Sequence, residues 1–193
     1  GVRFWSATAA VALVALVALA ARRWLRPPAD VWAGLALATS LLTALLARAA
    51  VTDMLLTLFV SGAVLAGLRA VEAPAGRGRG WAVLAWAAAA LAVLVKGPIG
   101  VLVPVMALGP ALWALREARA GLPRLLPWQG LLVFAALSLP WYLLVLQANG
   151  WAFIEGFILK HHVTRYVGVV SSHAGPLWFY LPVILVGFFP WSA

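Results

Sequence analysis

AVLVKGPIGVLVP, residues 92–104, decides how this chain is built. Nearly everything around it is Ala, Leu, Val or Trp, and Lys96 is the only charge between Arg79 and Arg116. The apolar stretch runs from Trp81 to Leu115. As a single helix it would be about 52 Å long at 1.5 Å per residue, whereas a bilayer core of about 30 Å needs roughly 20 residues. The stretch therefore predicts two helices with Lys96-Gly97-Pro98 as the turn between them. Glycine admits backbone angles closed to other residues, and Pro98 suits the first turn of a following helix. Lys96 then sits at a membrane face and not at the bilayer centre.

The rest of the chain agrees with a membrane setting. It has 193 residues, 65% hydrophobic and 10% charged, with a mean hydropathy of +1.03. A soluble domain is nearer half apolar and a quarter charged. Eleven Trp and eight Phe fit the aromatic belts at the two interfaces. The absence of Cys removes disulfides, thiolate catalysis and Cys-based metal sites. Length and hydropathy predict about seven membrane segments, at 4–21, 31–47, 54–68, 81–95, 99–115, 131–146 and 177–191. The predicted fold class is all-α, a polytopic transmembrane helix bundle. Residues 7–21 are apolar, but Arg22-Arg23 follow and no polar mature domain does, which is not the pattern of a cleavable signal peptide. The chain opens on Gly1 and ends inside a hydrophobic run. It reads as 1–193 of a single transmembrane domain that continues at both ends.

Charge sorts the loops. Arg22, Arg23, Arg26, Arg69, Arg77, Arg79, Arg116, Arg119 and Arg124 fall in alternate loops on one side. Arg3, Arg48, Lys96, Lys160 and Arg165 fall on the other. The net charge of +9 is thus read as orientation and not as nucleic-acid binding, since short basic loops stay cytoplasmic. Lys96 then faces outward, toward the periplasm of a Gram-negative cell. APAGRGRG (73–80) is a flexible cytoplasmic loop, and no Lys-Ser/Thr follows it to make a phosphate-binding pattern. The outer loop 147–176 contains FIEGFILKHHVTRY, where Phe153, Phe157, Ile158 and Val163 form one apolar face. That face predicts a short helix lying in the interface.

The unusual polar residues now share the outer face. RAAVTDMLLTLF places Arg48 and Asp53 at the turn between the second and third segments. Lys96 is at the next outer turn, and Glu155, Lys160, His161, His162, Arg165, Tyr166 and His173 fill the third. Each has an ordinary reading. Lys96 suits a snorkelling anchor, Asp53 a helix cap with Thr52 that pairs with Arg48, and His173 a plain loop residue. His161 and His162 are adjacent and cannot share one helix face. Lys96 also has a sharper reading, because a cation, a glycine and a helix N-terminus together suit a phosphate. Cations, a carboxylate and imidazoles at one bilayer surface suit a lipid-linked phosphate whose tail stays in the membrane.

Four stretches carry a family resemblance: AAVTDMLLTLF (49–59), VKGPIGVLVP (95–104), SLPWYLLVLQANGWAFIEGFILKHHVTRY (138–166) and HAGPLWFYLPVILVGFFPWS (173–192). In order and spacing they resemble the polytopic GT-C glycosyltransferases of the protein mannosyltransferase and aminoarabinose transferase superfamily. The resemblance implies transfer of a sugar from a polyprenyl-phosphate carrier to an acceptor (a lipid, glycan or protein) on the extracytoplasmic face of the bacterial inner membrane. It implies Asp53 as the acidic residue at an outer helix start. It implies Lys96 at the Lys-Gly position that meets the carrier phosphate, and His161, Arg165 and His173 as further outer-face site residues. His162 departs from the family, where Asn is frequent. The family's general base belongs to an outer loop that precedes Gly1, so the stretch alone is expected to be inactive.

The expected chemistry is attack by an acceptor nucleophile on the anomeric carbon, with polyprenyl phosphate leaving. Lys96 and Arg165 would stabilise charge on the departing phosphate, Arg48 would add to the cationic face, and a carboxylate would take the acceptor proton. A divalent metal ion bridging His161 or a carboxylate to phosphate is a further expectation, with its ligand set incomplete in this chain. The rival reading is a transporter or flippase for a lipid-linked or anionic substrate. Such proteins put polar sites at the midplane of broken helices, often in inverted repeats, and no repeat is visible here. A scaffold subunit would explain the helices but not the one-sided polar cluster.

Overall fold

The structure, a computed structural model, describes residues 3–74, 76–114, 121–153, 155–156 and 177–193. Among these it contains helices and no strand. The helices are α1 (Arg3–Trp24), α2 (Ala29–Thr39), α3 (Leu41–Arg48), α4 (Asp53–Glu72), α5 (Arg79–Lys96), α6 (Ile99–Ala114), α7 (Trp128–Asn149) and α8 (Tyr180–Gly187). Short 3-10 turns occupy Leu122–Leu125 and Leu177–Phe179.

Four helical stretches are long and apolar enough to cross a membrane: α1, α4, α5 and the stretch Leu122–Asn149 that contains α7. The pair α2 and α3 makes a fifth if counted as one broken span. The predicted segment 99–115 is helical over its described residues, as α6, whereas 177–191 holds a 3-10 turn followed by the eight residues of α8. Most of the expected interfacial helix lies outside the described residues; Trp151–Phe153 closes one helical turn.

The Lys96 turn forms for identifiable reasons. Gly97 ends α5 at φ +79° and ψ −154°, a region open essentially to glycine alone, while its N–H closes on the Val93 carbonyl at 2.7 Å. Pro98 has no N–H to continue the ladder. Its carbonyl instead starts α6 by accepting from Val101 and Leu102, each at 3.1 Å. The hairpin is tight, and a Cβ on Gly100 would collide with the backbone of Ala92 and Val93. Gly100→Ala is therefore expected to destabilise the full-length protein by about 2–3 kcal/mol, the cost of overpacking a site whose neighbour is backbone. A melting temperature in detergent equal to that of the native sequence would contradict this.

The bundle is turned inside out relative to a soluble protein. Its buried positions are mostly small: Ala63, Ala66, Gly67 and Ala70 on α4, and Ala82, Ala89, Ala90 and Ala92 on α5, two helices that pack together. Large side chains such as Leu19, Leu45, Met106, Leu132 and Leu144 point outward. In lipid that arrangement is favourable, because close backbone approach through small residues drives helix association while leucines lose nothing by facing acyl chains. This is a multi-pass membrane protein.

α4 and α5 run antiparallel, so Asp53 and Lys96 meet at one end and Arg69, Glu72 and Arg79 at the other, about 27 Å away by helix rise. The Arg-rich end is built from specific contacts. The Arg69 guanidinium lies between the rings of Trp24 and Trp81, at 5.4 and 5.2 Å. The Trp24 indole donates to Glu72 at 2.7 Å. Arg22 pairs with Asp30. Arg124 donates to the carbonyls of Val71 and Ala73, closing the end of α4.

Candidate functional site

At the opposite end, two side chains from separate turns converge. Asp53 is the first residue of α4 and Lys96 the last of α5. Lys96 Nζ donates to Asp53 Oδ1 at 2.5 Å. Thr52 holds the cap position without a side-chain capping bond, so Asp53 is not spent as a cap. Nor is it paired with Arg48, which stands exposed at the end of α3. The pair is half open, with 47% of the Lys96 side chain and 38% of the Asp53 side chain exposed. An ion pair so open contributes about 0–1 kcal/mol to stability. It serves better as a poised charge than as a clamp.

Each partner is held by its own element. The turn leading into Asp53 is pinned by Ser6 of α1, whose Oγ donates to the Val51 carbonyl at 2.8 Å. The last turn of α5 is braced by Tyr142 of α7, whose hydroxyl donates to the Val93 carbonyl at 3.0 Å. That carbonyl also accepts from Gly97, so one oxygen ties together α5, its turn and α7. Trp141 and Phe153 pack around Tyr142 with ring centroids at 4.9 and 6.3 Å. The sequence reading did not single out Tyr142. A phenol inside an apolar helix, whose hydroxyl must find a partner, was the available signal.

One expected feature is modified. The start of α6 was expected to present free N–H groups to a phosphate. The amides of Gly100, Val101 and Leu102 instead donate to the carbonyls of Gly97 and Pro98. The positive end of the helix dipole remains beside Lys96, but these three donors are spent within the turn.

His161, Arg165 and His173 lie outside the described residues, as does His162. Among the described residues, no three His, Asp, Glu or Cys side chains group as metal ligands, and Asp53 is already engaged by Lys96. The described residues therefore do not assemble a metal set. An apolar cavity of about 590 Å³ lies between α4, α5 and α6, lined by Ala63, Gly67, Trp86, Ala89 and Leu108 among others. Its α4 lining, Ala63 and Gly67, lies 10 to 14 residues from Asp53, or about 15–21 Å by helix rise. It carries none of the charge chemistry. Every described Asp, Glu, Lys and Arg side chain lies at or near a helix end, and α6, α7 and α8 contain none of these.

Known proteins resemble the chain along its whole length. It is 36% identical over 200 residues to the undecaprenyl phosphate-alpha-4-amino-4-deoxy-L-arabinose arabinosyl transferase of Pseudomonas aeruginosa, covering 100% of this chain and 35% of that protein. The enzyme of the same name from Edwardsiella ictaluri is 31% identical over 202 residues, covering 98% and 34%. The chain thus spans about a third of the length of these relatives. Two crystal structures of ArnT from Cupriavidus metallidurans share the fold. The apo form superposes with a TM-score of 0.82 at 27% identity, over 98% of this chain and 34% of that one. The form bound to undecaprenyl phosphate gives 0.89 at 28%, over 99% and 35%. Residues 1–144 match the family described as dolichyl-phosphate-mannose-protein mannosyltransferase. With three quarters of its length matched by the family model, the chain belongs to that mannosyltransferase family.

Proposed function

We propose that this chain is the part of a polyprenyl-phosphate-dependent glycosyltransferase that receives the carrier phosphate at the membrane surface. The observation that carries the reading is the half-open Lys96–Asp53 pair at the end of the bundle away from the arginines. The site faces the periplasm of the bacterial inner membrane, because the Arg-rich end stays in the cytoplasm. The acceptor's nucleophile attacks the anomeric carbon, the bond from that carbon to the phosphate oxygen breaks, and the electron pair leaves with the phosphate. Lys96, with Arg165 from the third outer loop, stabilises the charge that develops there. Arg48, His161 and His173 complete the polar rim that binds donor and acceptor. Asp53 orients Lys96, and a carboxylate elsewhere in the full-length enzyme takes the acceptor proton.

A transporter is the competing reading. It fits poorly with described Asp, Glu, Lys and Arg residues confined to helix ends, since transport sites lie at the midplane. Reconstituting the full-length protein in vesicles with radiolabelled polyprenyl-phosphate sugar separates the two. Label moving covalently to an acceptor supports the transferase. Label crossing the bilayer still attached to its carrier would refute it.

A further inference from the structure

The second membrane segment is broken. α2 and α3 meet at 57°, and Ser40 between them is extended, with φ −66° and ψ 136°. In lipid a broken ladder is tolerated only when protein groups take up the backbone atoms it frees. One is satisfied locally: buried Ser40 Oγ lies 3.0 Å from the Leu37 carbonyl, while Thr39 Oγ1 donates to the Leu35 carbonyl at 2.6 Å within α2. A second is satisfied from residues far along the chain. The N–H of Leu41 donates to the Phe189 carbonyl at 3.0 Å, and the Trp191 indole donates to Thr39 Oγ1 at 2.8 Å. The Trp191 ring also stands edge-on to Trp32 of α2, with centroids 6.2 Å apart. Gly187 at the end of α8 packs tightly on Leu42, whose side chain would lie 3.1 Å from an added Cβ.

We infer that residues 187–191 form a latch that holds the break open, and that Trp191 and Thr39 are positioning residues for Asp53. The mechanical link is short. α3 has eight residues, so straightening a 57° bend would swing its far end by about 11 Å at 1.5 Å per residue. That end carries Arg48, and five residues later the chain must arrive at Asp53 beside Lys96. The bend lets α2 and α3 both pack on α1 while delivering the chain to the site. The latch therefore sets where Arg48 and the Asp53 turn stand. The inference rests on the Lys96–Asp53 site proposed above.

The test is a double-mutant cycle in the full-length enzyme, with sugar transfer and thermal unfolding both measured. Thr39→Val and Trp191→Phe keep shape and remove one partner each of the same bond. Each is expected to lower kcat about fivefold, the size of one hydrogen bond. The two together should do no worse than either alone, and Thr39→Ser, which keeps the hydroxyl, should restore turnover. Additive losses, or no loss, would overturn the inference. So would a double variant that fails to fold when both singles fold, or a Thr39→Val that fails to fold while Thr39→Ser is normal, since either makes the hydroxyl a matter of stability alone. Absence of any sugar transfer by the unmodified enzyme would instead strike at the proposed function.

Discussion

Lys96→Ala in the full-length enzyme is expected to lower kcat for sugar transfer by about 10²- to 10³-fold, the cost of removing one preorganised charge-stabilising donor. The protein should still insert and fold. The pair Lys96 makes with Asp53 is half exposed and contributes little to stability, and α5 ends on Gly97 whatever residue precedes it. Loss of turnover without loss of melting temperature is thus the signature. Lys96→Arg should recover only part of the activity. It keeps the charge, but a planar fork replaces a compact ammonium in a hairpin that has no slack at Gly100. Full activity of Lys96→Ala would remove Lys96 from the chemistry.

Asp53→Asn is expected to cost about 10-fold to 10²-fold in kcat, because the amide keeps the shape and loses the charge that holds Lys96. The informative comparison is with the double variant. If Asp53 works through Lys96, Asp53→Asn adds nothing once Lys96 is alanine. If Asp53 were instead an independent base, the two losses would multiply, since general-base catalysis contributes about 10²- to 10⁴-fold on its own. The 2.5 Å contact favours the first outcome: the Asp53 carboxylate is directed at the Lys96 ammonium.

Much of this was legible in the sequence, for physical reasons. Helix length alone forced the turn at Lys96, because no bilayer accommodates the stretch from Trp81 to Leu115 as one span. The distribution of arginine separated the two ends, and the structure keeps them apart, with Arg69 and Arg124 at one end and Lys96 at the other. What escaped notice depends on partners distant in sequence. Asp53 had Arg48 as its near neighbour, yet its partner is Lys96, brought close by antiparallel packing of α4 on α5. Residues 31–47 read as one apolar span, since Thr39 and Ser40 are tolerated within membrane helices. The break is stabilised from Phe189 and Trp191, about 150 residues away, and no local pattern announces that. Tyr142 was hidden in the same way, as its bond to Val93 crosses from α7 to α5.

The most direct test of the central claim is binding rather than turnover. The affinity of the full-length protein for undecaprenyl phosphate is compared with that for the uncharged undecaprenol, in the native sequence and in Lys96→Ala. A phosphate held by Lys96 requires that the native protein prefer the phosphate form and that Lys96→Ala lose most of that preference while binding the alcohol as before. An equal preference in both proteins would show that the phosphate is held elsewhere.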